Sequence, residues 1–375
     1  MLIGVPAETE PAETRVAASP ETVKKFVGLG AEAAIERGAG LEAGMVDADY
    51  EAAGARMVST AEALGADLVL KVRRPSEREI AQLKSGALVV AIMDPHGHRG
   101  AIEAMAHAGV AAFAMELLPR ITRAQVMDVL SSQANLAGYR AVIDAAAEYG
   151  RLLPMMMTPA GTVAAARLFV MGVGVAGLQA IATGRRLGAV VTATDVRPAT
   201  KEQVESLGAK FVAVEDEEFR QAETAGGYAK EMSEAYKAKQ AALLASHIAK
   251  QDIVVTTALI PGRPAPRLVS ADMVKSMRAG SVILDLAVER GGNCELSKPG
   301  ETIVSENGVK VVGYSSVTRL AATASSLYAR NLFAFAETLI DKPNKSLAVN
   351  WDDELVKATC LTRGGAIVHP DFQSQ

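Results

Sequence analysis

Two doubly wound α/β domains, each on a mainly parallel sheet, are predicted by three features of the sequence. The first is length, because 375 residues exceed what one hydrophobic core usually holds. The second is composition: 49% of the residues are apolar and only 4% aromatic, a balance common among α/β proteins. The third is alternation, since short β-branched runs exchange with amphipathic helical stretches in two separate series, the pattern of βαβ units.

The strands of the first series are Leu2 to Val5, Ala33 to Ile35, Asp67 to Val72, Ala87 to Ile92 and Val110 to Phe113. Ser19 followed by Pro20 reads as an N-cap with proline in the first turn, and Gly30 as the stop of that helix. Ser132 to Tyr149 is alanine-rich with Gly138 its only breaker, so one long helix is expected to carry the chain into the second domain. The second series runs strand Arg167 to Met171, helix to Leu187, strand Val190 to Thr194, helix Lys201 to Leu207 and strand Lys210 to Val214. Further strands follow at Ile253 to Thr257 and Ser281 to Leu286. Asn307-Gly308, between ETIVSE and VKVVGY, predicts a two-residue hairpin turn. Leu320 to Ile340 reads as a second long helix that returns the chain to the first domain. The expected division is residues 1–131 with 318–375, and residues 132–317.

Charge and patterning exclude several kinds of partner. A net charge of -4, from 39 basic and 43 acidic side chains, gives no field to attract a polyanion, so nucleic acid is not expected. The start MLIGVPAETEPAE turns acidic at once, and no apolar run approaches the roughly 18 residues that span a bilayer. A cytoplasmic chain with no direct membrane insertion is the expectation. Cys294 and Cys360 have no second sulfur or histidine at ligand spacing, which predicts packed, reduced thiols and no metal.

The segment RLFVMGVGVAGLQAIATGRRLGAVVTATD places Gly172, Gly174 and Gly177 directly after a strand and at the opening of a helix. In that context the triplet is the Rossmann phosphate loop: the first glycine for the turn, the second for close approach to a pyrophosphate, the third for helix packing. Asp195 closes the next strand, 18 residues after Gly177. A carboxylate there accepts hydrogen bonds from both ribose hydroxyls and repels a 2′-phosphate, which favours NAD(H) over NADP(H). The other cofactor candidates are Val175 and Ala176 within the loop, Val196 and Arg197 after Asp195, and Ala258 and Leu259 after the strand ending at Thr257. The same glycine spacing recurs at Gly28, Gly30 and Ala33 and at Gly38, Gly40 and Ala43, but neither leads from a strand into a helix and then to an acid.

Leu117 to Ala146, LLPRITRAQVMDVLSSQANLAGYRAVIDAA, is polar where a buried crossing would be apolar. On its residues alone it reads as a solvated helix face with i,i+3 polar pairs. It closely resembles, however, the fingerprint of domain I in the alpha subunit of the proton-translocating NAD(P) transhydrogenases. The resemblance continues through TKEQVESLGAKF, AGGYAKEM, TTALIPGRPAP, GSVILDLA and GGNCELSKPGE, and so covers nearly the whole chain. It implies that Arg120, Gln125, Asp128 and Ser131 lie near the nicotinamide half of a bound dinucleotide, with Gln125 facing the partner nucleotide. It implies that Gly226, Gly227 and Tyr228 belong to a mobile lid. It further implies a homodimer, hydride exchange of the Si-to-Re-specific type with NADP(H) on a partner domain, and a membrane proton-channel partner. Through those partners the chain would sit at the cytoplasmic face of the inner membrane.

The runner-up is a self-contained amino-acid oxidoreductase, because Arg15 in ETRVA and Lys71 in VLKVRRP match substrate-holding positions of the related alanine dehydrogenases. Those enzymes also need a catalytic histidine; counted from Gly86, Asp94 stands there, with His96 and His98 beyond it. The carboxylate after the DLA strand is Glu289 rather than aspartate, and the lysine usual after Pro6 is Ala7. Without an imidazole in register, proton removal from an amino acid lacks its natural base near neutral pH. His96, His98, His107, His247 and His369 are expected at the surface or in packing roles.

Overall fold

The computed structural model describes residues 1–222, 232–260, 262–314 and 317–373. The chain forms two compact units, Met1–Gln133 with Thr318–Gln375, and Ala134–Val317. Each is a mainly parallel sheet with apolar clusters on both faces, the α/β class that the sequence predicts.

In the first unit the strand order is Ala55–Val58, Glu32–Glu36, Leu2–Val5, Leu68–Arg73, Leu88–Ile92, Ala111–Ala114, Cys360–Arg363, Ala366–Ile367, and the last two are antiparallel to their neighbours. The strand Leu68–Arg73 shows why apolar residues fall on both faces of the sheet. Leu68, Leu70 and Val72 pack with Phe113, Tyr328 and Phe335 on one face, while Val69 packs with Val89 and Met105 on the other. The helix Pro20–Gly28 is capped as read: the Ser19 hydroxyl accepts from the Thr22 amide, and Gly30 adopts φ 83° just beyond the end. Sequence reasoning missed the strand Ala55–Val58, whose four residues bury only Ala55 and Val58, and the two C-terminal strands that close the opposite edge.

The long helix Val129–Tyr149 begins before Ser132 because the Asp128 carboxylate caps it, accepting from the Ser131 amide at 2.9 Å and the Ser131 hydroxyl at 2.5 Å. Glycine at 138 is required within this helix, since a Cβ there would lie 2.0 Å from the Ala176 carbonyl oxygen.

The second unit orders its strands Lys210–Phe211, Val190–Thr194, Arg167–Met171, Ile253–Thr256, Val282–Asp285, Lys310–Val312, Thr302–Val304, with only the last antiparallel. Lys210–Phe211 stops short of the expected Val214, whose amide is taken by the Gln240 side chain at 2.8 Å. The expected two-residue turn at Asn307-Gly308 is instead a three-residue loop closed by Ser305 and Val309, with Gly308 at φ 79°. Asn307 does not adopt positive φ; its side-chain amide caps the helix Ala271–Ser276 by donating to the carbonyls of Val274, Lys275 and Met277. A small hairpin, Met156–Thr158 with Gly161–Val163, exposes every one of its residues. Among the described residues no helix is long and apolar enough to cross a membrane.

Candidate functional site

The carboxyl ends of Arg167–Met171 and Ile253–Thr256 lie side by side at the point where the strand order of the second unit reverses, the place where open α/β sheets bind ligands. Gly172 leaves the first of these strands at φ 104°, a conformation that only glycine adopts cheaply. Its carbonyl accepts the Thr257 hydroxyl at 2.9 Å, tying the two strand ends together. Gly177 sits so close beneath that a Cβ on it would stand 1.9 Å from the Gly172 oxygen. Gly174, the N-cap of the helix Val175–Arg186, faces open space: a Cβ there would meet nothing within 4 Å. The amides of the first helical turn have no acceptor within the helix, and the positive end of the helix dipole lies there.

Asp195 follows the neighbouring strand and turns back to this loop, its carboxylate accepting from the Val173 amide at 2.7 Å. It is not a bare charge. Arg197 donates to it from the backbone amide at 2.9 Å and from the guanidinium at 2.9 and 3.0 Å. Around the loop, Val175, Val196, Leu259 and Ile260 are exposed apolar side chains at the ends of three different strands. The donor amides, the space before Gly174, this apolar ring and the carboxylate fit a dinucleotide. Ala258 is fixed by a residue that sequence reasoning did not single out. The buried Asn293 side chain accepts from the Ala258 amide and donates to the Ala258 carbonyl, both at 2.9 Å, and donates to Pro266 at 2.8 Å. A polar residue directly after two glycines was the signal available in the sequence.

The remaining candidates belong to the first unit. Thr122–Met127 is a 3-10 helix rather than part of a longer solvated α-helix, and it ends at Asp128. Arg120 and Gln125 are exposed, whereas Asp128 and Ser131 are half-buried and bonded to each other. Between them Arg123 forms a forked pair with Asp353 at 2.7 and 2.8 Å, which anchors the segment. Tyr228 and the Gly226-Gly227 pair lie outside the described residues.

The first unit has its own switch point, between Leu2–Val5 and Leu68–Arg73, and charged groups of the chain fill it. Arg15 is buried in a forked pair with Glu13 at 2.6 and 2.7 Å, and a further donor reaches Gln133 at 2.9 Å. Lys71 is buried against Glu79 at 2.7 Å and Glu8 at 3.4 Å. Burial pushes the Glu8 carboxyl up despite the nearby Lys71. Burial also acts on Glu13, but the hydrogen bond and charge of Arg15 and the charge of Arg73 outweigh it and hold that carboxyl below its ordinary value. At the position expected to hold a histidine, Asp94 takes φ 47°, its amide bonded to Glu116. His98 is exposed and bonds the Asp94 carbonyl at 2.8 Å, while His96 is exposed and packs on Phe372. Both histidines thus have the surface and packing roles expected of them. Among the described residues no group of three or more histidine, cysteine, aspartate or glutamate side chains forms a metal site, and both cysteines are buried thiols.

Sequence models of one family match the chain over almost its whole length: the alanine dehydrogenase/PNT N-terminal domain matches residues 4–137, and the corresponding C-terminal domain residues 141–370. The chain belongs to the alanine dehydrogenase/PNT family. It is 56% identical to the first section of the NAD(P) transhydrogenase alpha subunit of Rhodospirillum rubrum, over all of both chains. Among solved structures it is similar to the transhydrogenase from Sinorhizobium meliloti, with a TM-score of 0.90 and 60% identity over 98% of this chain and all of that one. An L-alanine dehydrogenase is more distant, with a TM-score of 0.83 and 26% identity over all of this chain and 98% of that one. The resemblance read from the polar segment and its companion motifs is therefore borne out, together with the kinship to alanine dehydrogenases.

Proposed function

We propose that the chain is the NAD(H)-binding component of a proton-translocating NAD(P) transhydrogenase, active with an NADP(H)-binding partner domain and a membrane proton-channel domain. The observation that carries this reading is the second unit's loop, where donor amides and open space before Gly174 are ringed by exposed Val175, Val196, Leu259 and Ile260. A buried apolar floor would need no such ring, but an adenosine lying across it would cover exposed side chains that water otherwise solvates poorly.

Bound NADH supplies a hydride from its nicotinamide ring. The chain's residues hold and orient. Amides of Gly174, Val175 and Ala176 take the pyrophosphate, with Gly172 and Gly177 allowing the approach. Asp195, with Val196 and Arg197 beside it, takes the adenosine ribose, and Ala258 and Leu259 border the path toward the nicotinamide. Arg120, Asp128 and Ser131 orient the carboxamide, and Gln125 meets the partner's nucleotide. Hydride passage between two ring carbons needs no acid or base at that step, only an approach of about 3 to 3.5 Å. Tyr228 serves as a lid over the bound cofactor. Exchange is of the Si-to-Re-specific type. The chain works as a homodimer at the cytoplasmic face of the inner membrane; exposed Met155, Met156, Met157 and Val163 on and beside the small hairpin support a self-association surface.

An alanine dehydrogenase activity is disfavoured because Arg15 and Lys71, the groups that would hold the amino acid, are already satisfied by Glu13, Glu79 and Glu8. The isolated chain, titrated with NADH and then assayed with NAD and L-alanine from acid to alkaline pH, should bind the cofactor and show no turnover. Turnover with alanine above background overturns the proposal.

A further inference from the structure

The ribose end of the site carries a basic residue whose role the cofactor reading does not explain. Asp195 is almost fully buried, with its side chain 8% exposed, while the Arg197 side chain beside it is 34% exposed. The Arg197 guanidinium is forked onto both carboxylate oxygens and also donates to the Val173 carbonyl at 3.1 Å. Its backbone is pinned as well: the Thr200 hydroxyl donates to the Arg197 carbonyl at 2.7 Å. A fixed carboxylate and a fixed guanidinium thus stand together where a Rossmann fold meets the ribose 2′ position.

This pairing changes what sets cofactor choice. A lone carboxylate repels a 2′-phosphate, but here the two charges cancel and simple repulsion is weakened. Selection then depends on which anion holds the guanidinium. A planar fork suits phosphate as well as carboxylate, and it binds either through paired, charge-assisted hydrogen bonds. Asp195 wins in the parent chain because it is covalently in place and is itself held by the Val173 amide.

We propose that Arg197 is a latent 2′-phosphate ligand, and that Asp195 secures the preference for NAD(H) by occupying it. This rests on the reading that NAD(H) binds at the Gly172 to Gly177 loop. It makes a demand that carboxylate repulsion alone does not: removing the carboxylate should create NADPH binding that depends on the arginine, rather than merely reduce discrimination.

The test titrates NADH and NADPH by fluorescence into the full chain, its Asp195→Ala and Asp195→Asn variants, and each of these combined with Arg197→Ala. Asparagine keeps an acceptor for the Val173 amide, so that variant guards against a collapsed loop. In either single variant NADPH should bind at least about tenfold tighter than in the parent, with a gain that shrinks as salt rises. Adding Arg197→Ala should abolish the gain. Calorimetry with 2′,5′-ADP against ADP should give the same order, which assigns the gain to the 2′-phosphate. Equal NADPH affinity in a single variant and its Arg197→Ala double overturns the inference while leaving NADH binding to the parent intact. A parent chain that binds no NADH overturns the underlying reading of the loop, and the inference with it.

Discussion

Replacing Gly177 with alanine tests the nucleotide loop at its tightest point. The added Cβ would stand 1.9 Å from the Gly172 oxygen and 2.9 Å from its carbon, both backbone atoms that cannot rotate away. Relief requires the strand end and the helix Val175–Arg186 to separate by roughly an ångström or more, since ordinary contact begins near 3.4 Å. Gly172 cannot yield easily, because its φ of 104° and the Thr257 hydroxyl bond hold it. Overpacking of this kind costs about 1 to 3 kcal/mol of stability. Binding should suffer more, because the first-turn amides would move off the phosphates they are proposed to hold. Each hydrogen bond to a charged group is worth about 1.5 to 3 kcal/mol, so losing two weakens NADH by roughly a hundredfold or more. Gly174→Ala is the control: its Cβ meets no protein atom within 4 Å but enters the space assigned to the pyrophosphate. Urea unfolding beside NADH titration separates the two. Gly177→Ala should lose both stability and affinity, and Gly174→Ala mainly affinity. Parent-like NADH binding in Gly177→Ala would refute the assignment of phosphate binding to this loop.

Three further outcomes follow from other regions of the chain. Asn293→Ala strips the paired bonds from Ala258 and the bond to Pro266, so stability should fall by about 1 to 3 kcal/mol and NADH affinity with it; unchanged titration would separate the Ala258 loop from the cofactor. Glu13→Gln leaves the buried Arg15 charge without its fork and should cost about 3 to 5 kcal/mol near neutral pH. Because the folded Glu13 carboxyl lies below its ordinary 4.5, its contribution is full above that value and is lost as pH falls through the lowered folded value. The gap between parent and Glu13→Gln in thermal melts should therefore narrow in acid, and a gap independent of pH would contradict the pairing. Gln125 is exposed, so Gln125→Asn should leave NADH affinity and melting unchanged while slowing hydride exchange with a partner by up to about a hundredfold; a full exchange rate would return the segment to a solvated surface.

The strands were legible because both faces of each sheet are buried, so Leu68 to Val72, broken only by Lys71, and Leu168 to Met171, behind Arg167, read as apolar runs in the sequence. The helix cap at Ser19 and the glycine spacing at Gly172 were legible because each depends on residues adjacent in the chain. What stayed hidden depends on folding first. Whether Asn307 takes a turn or caps a neighbouring helix is decided by the carbonyls of Val274, Lys275 and Met277, which lie 33, 32 and 30 residues away. The neutralisation of Asp195 by Arg197 needs the loop between them to bend both side chains to one side, which spacing alone does not dictate. Likewise the ion pairs that occupy Arg15 and Lys71 cannot be told from substrate-binding groups until Glu13, Glu79 and Glu8 are seen against them.

The proposal that this chain passes hydride only with a partner's nucleotide stands or falls on one reconstitution. The purified chain with NADH is mixed with a purified NADP(H)-binding transhydrogenase domain carrying an NADP analogue whose reduction absorbs at a distinct wavelength. Rapid reduction that requires both proteins, and that neither supports alone, is expected. NADH bound by the chain but no reduction at saturating partner would contradict it.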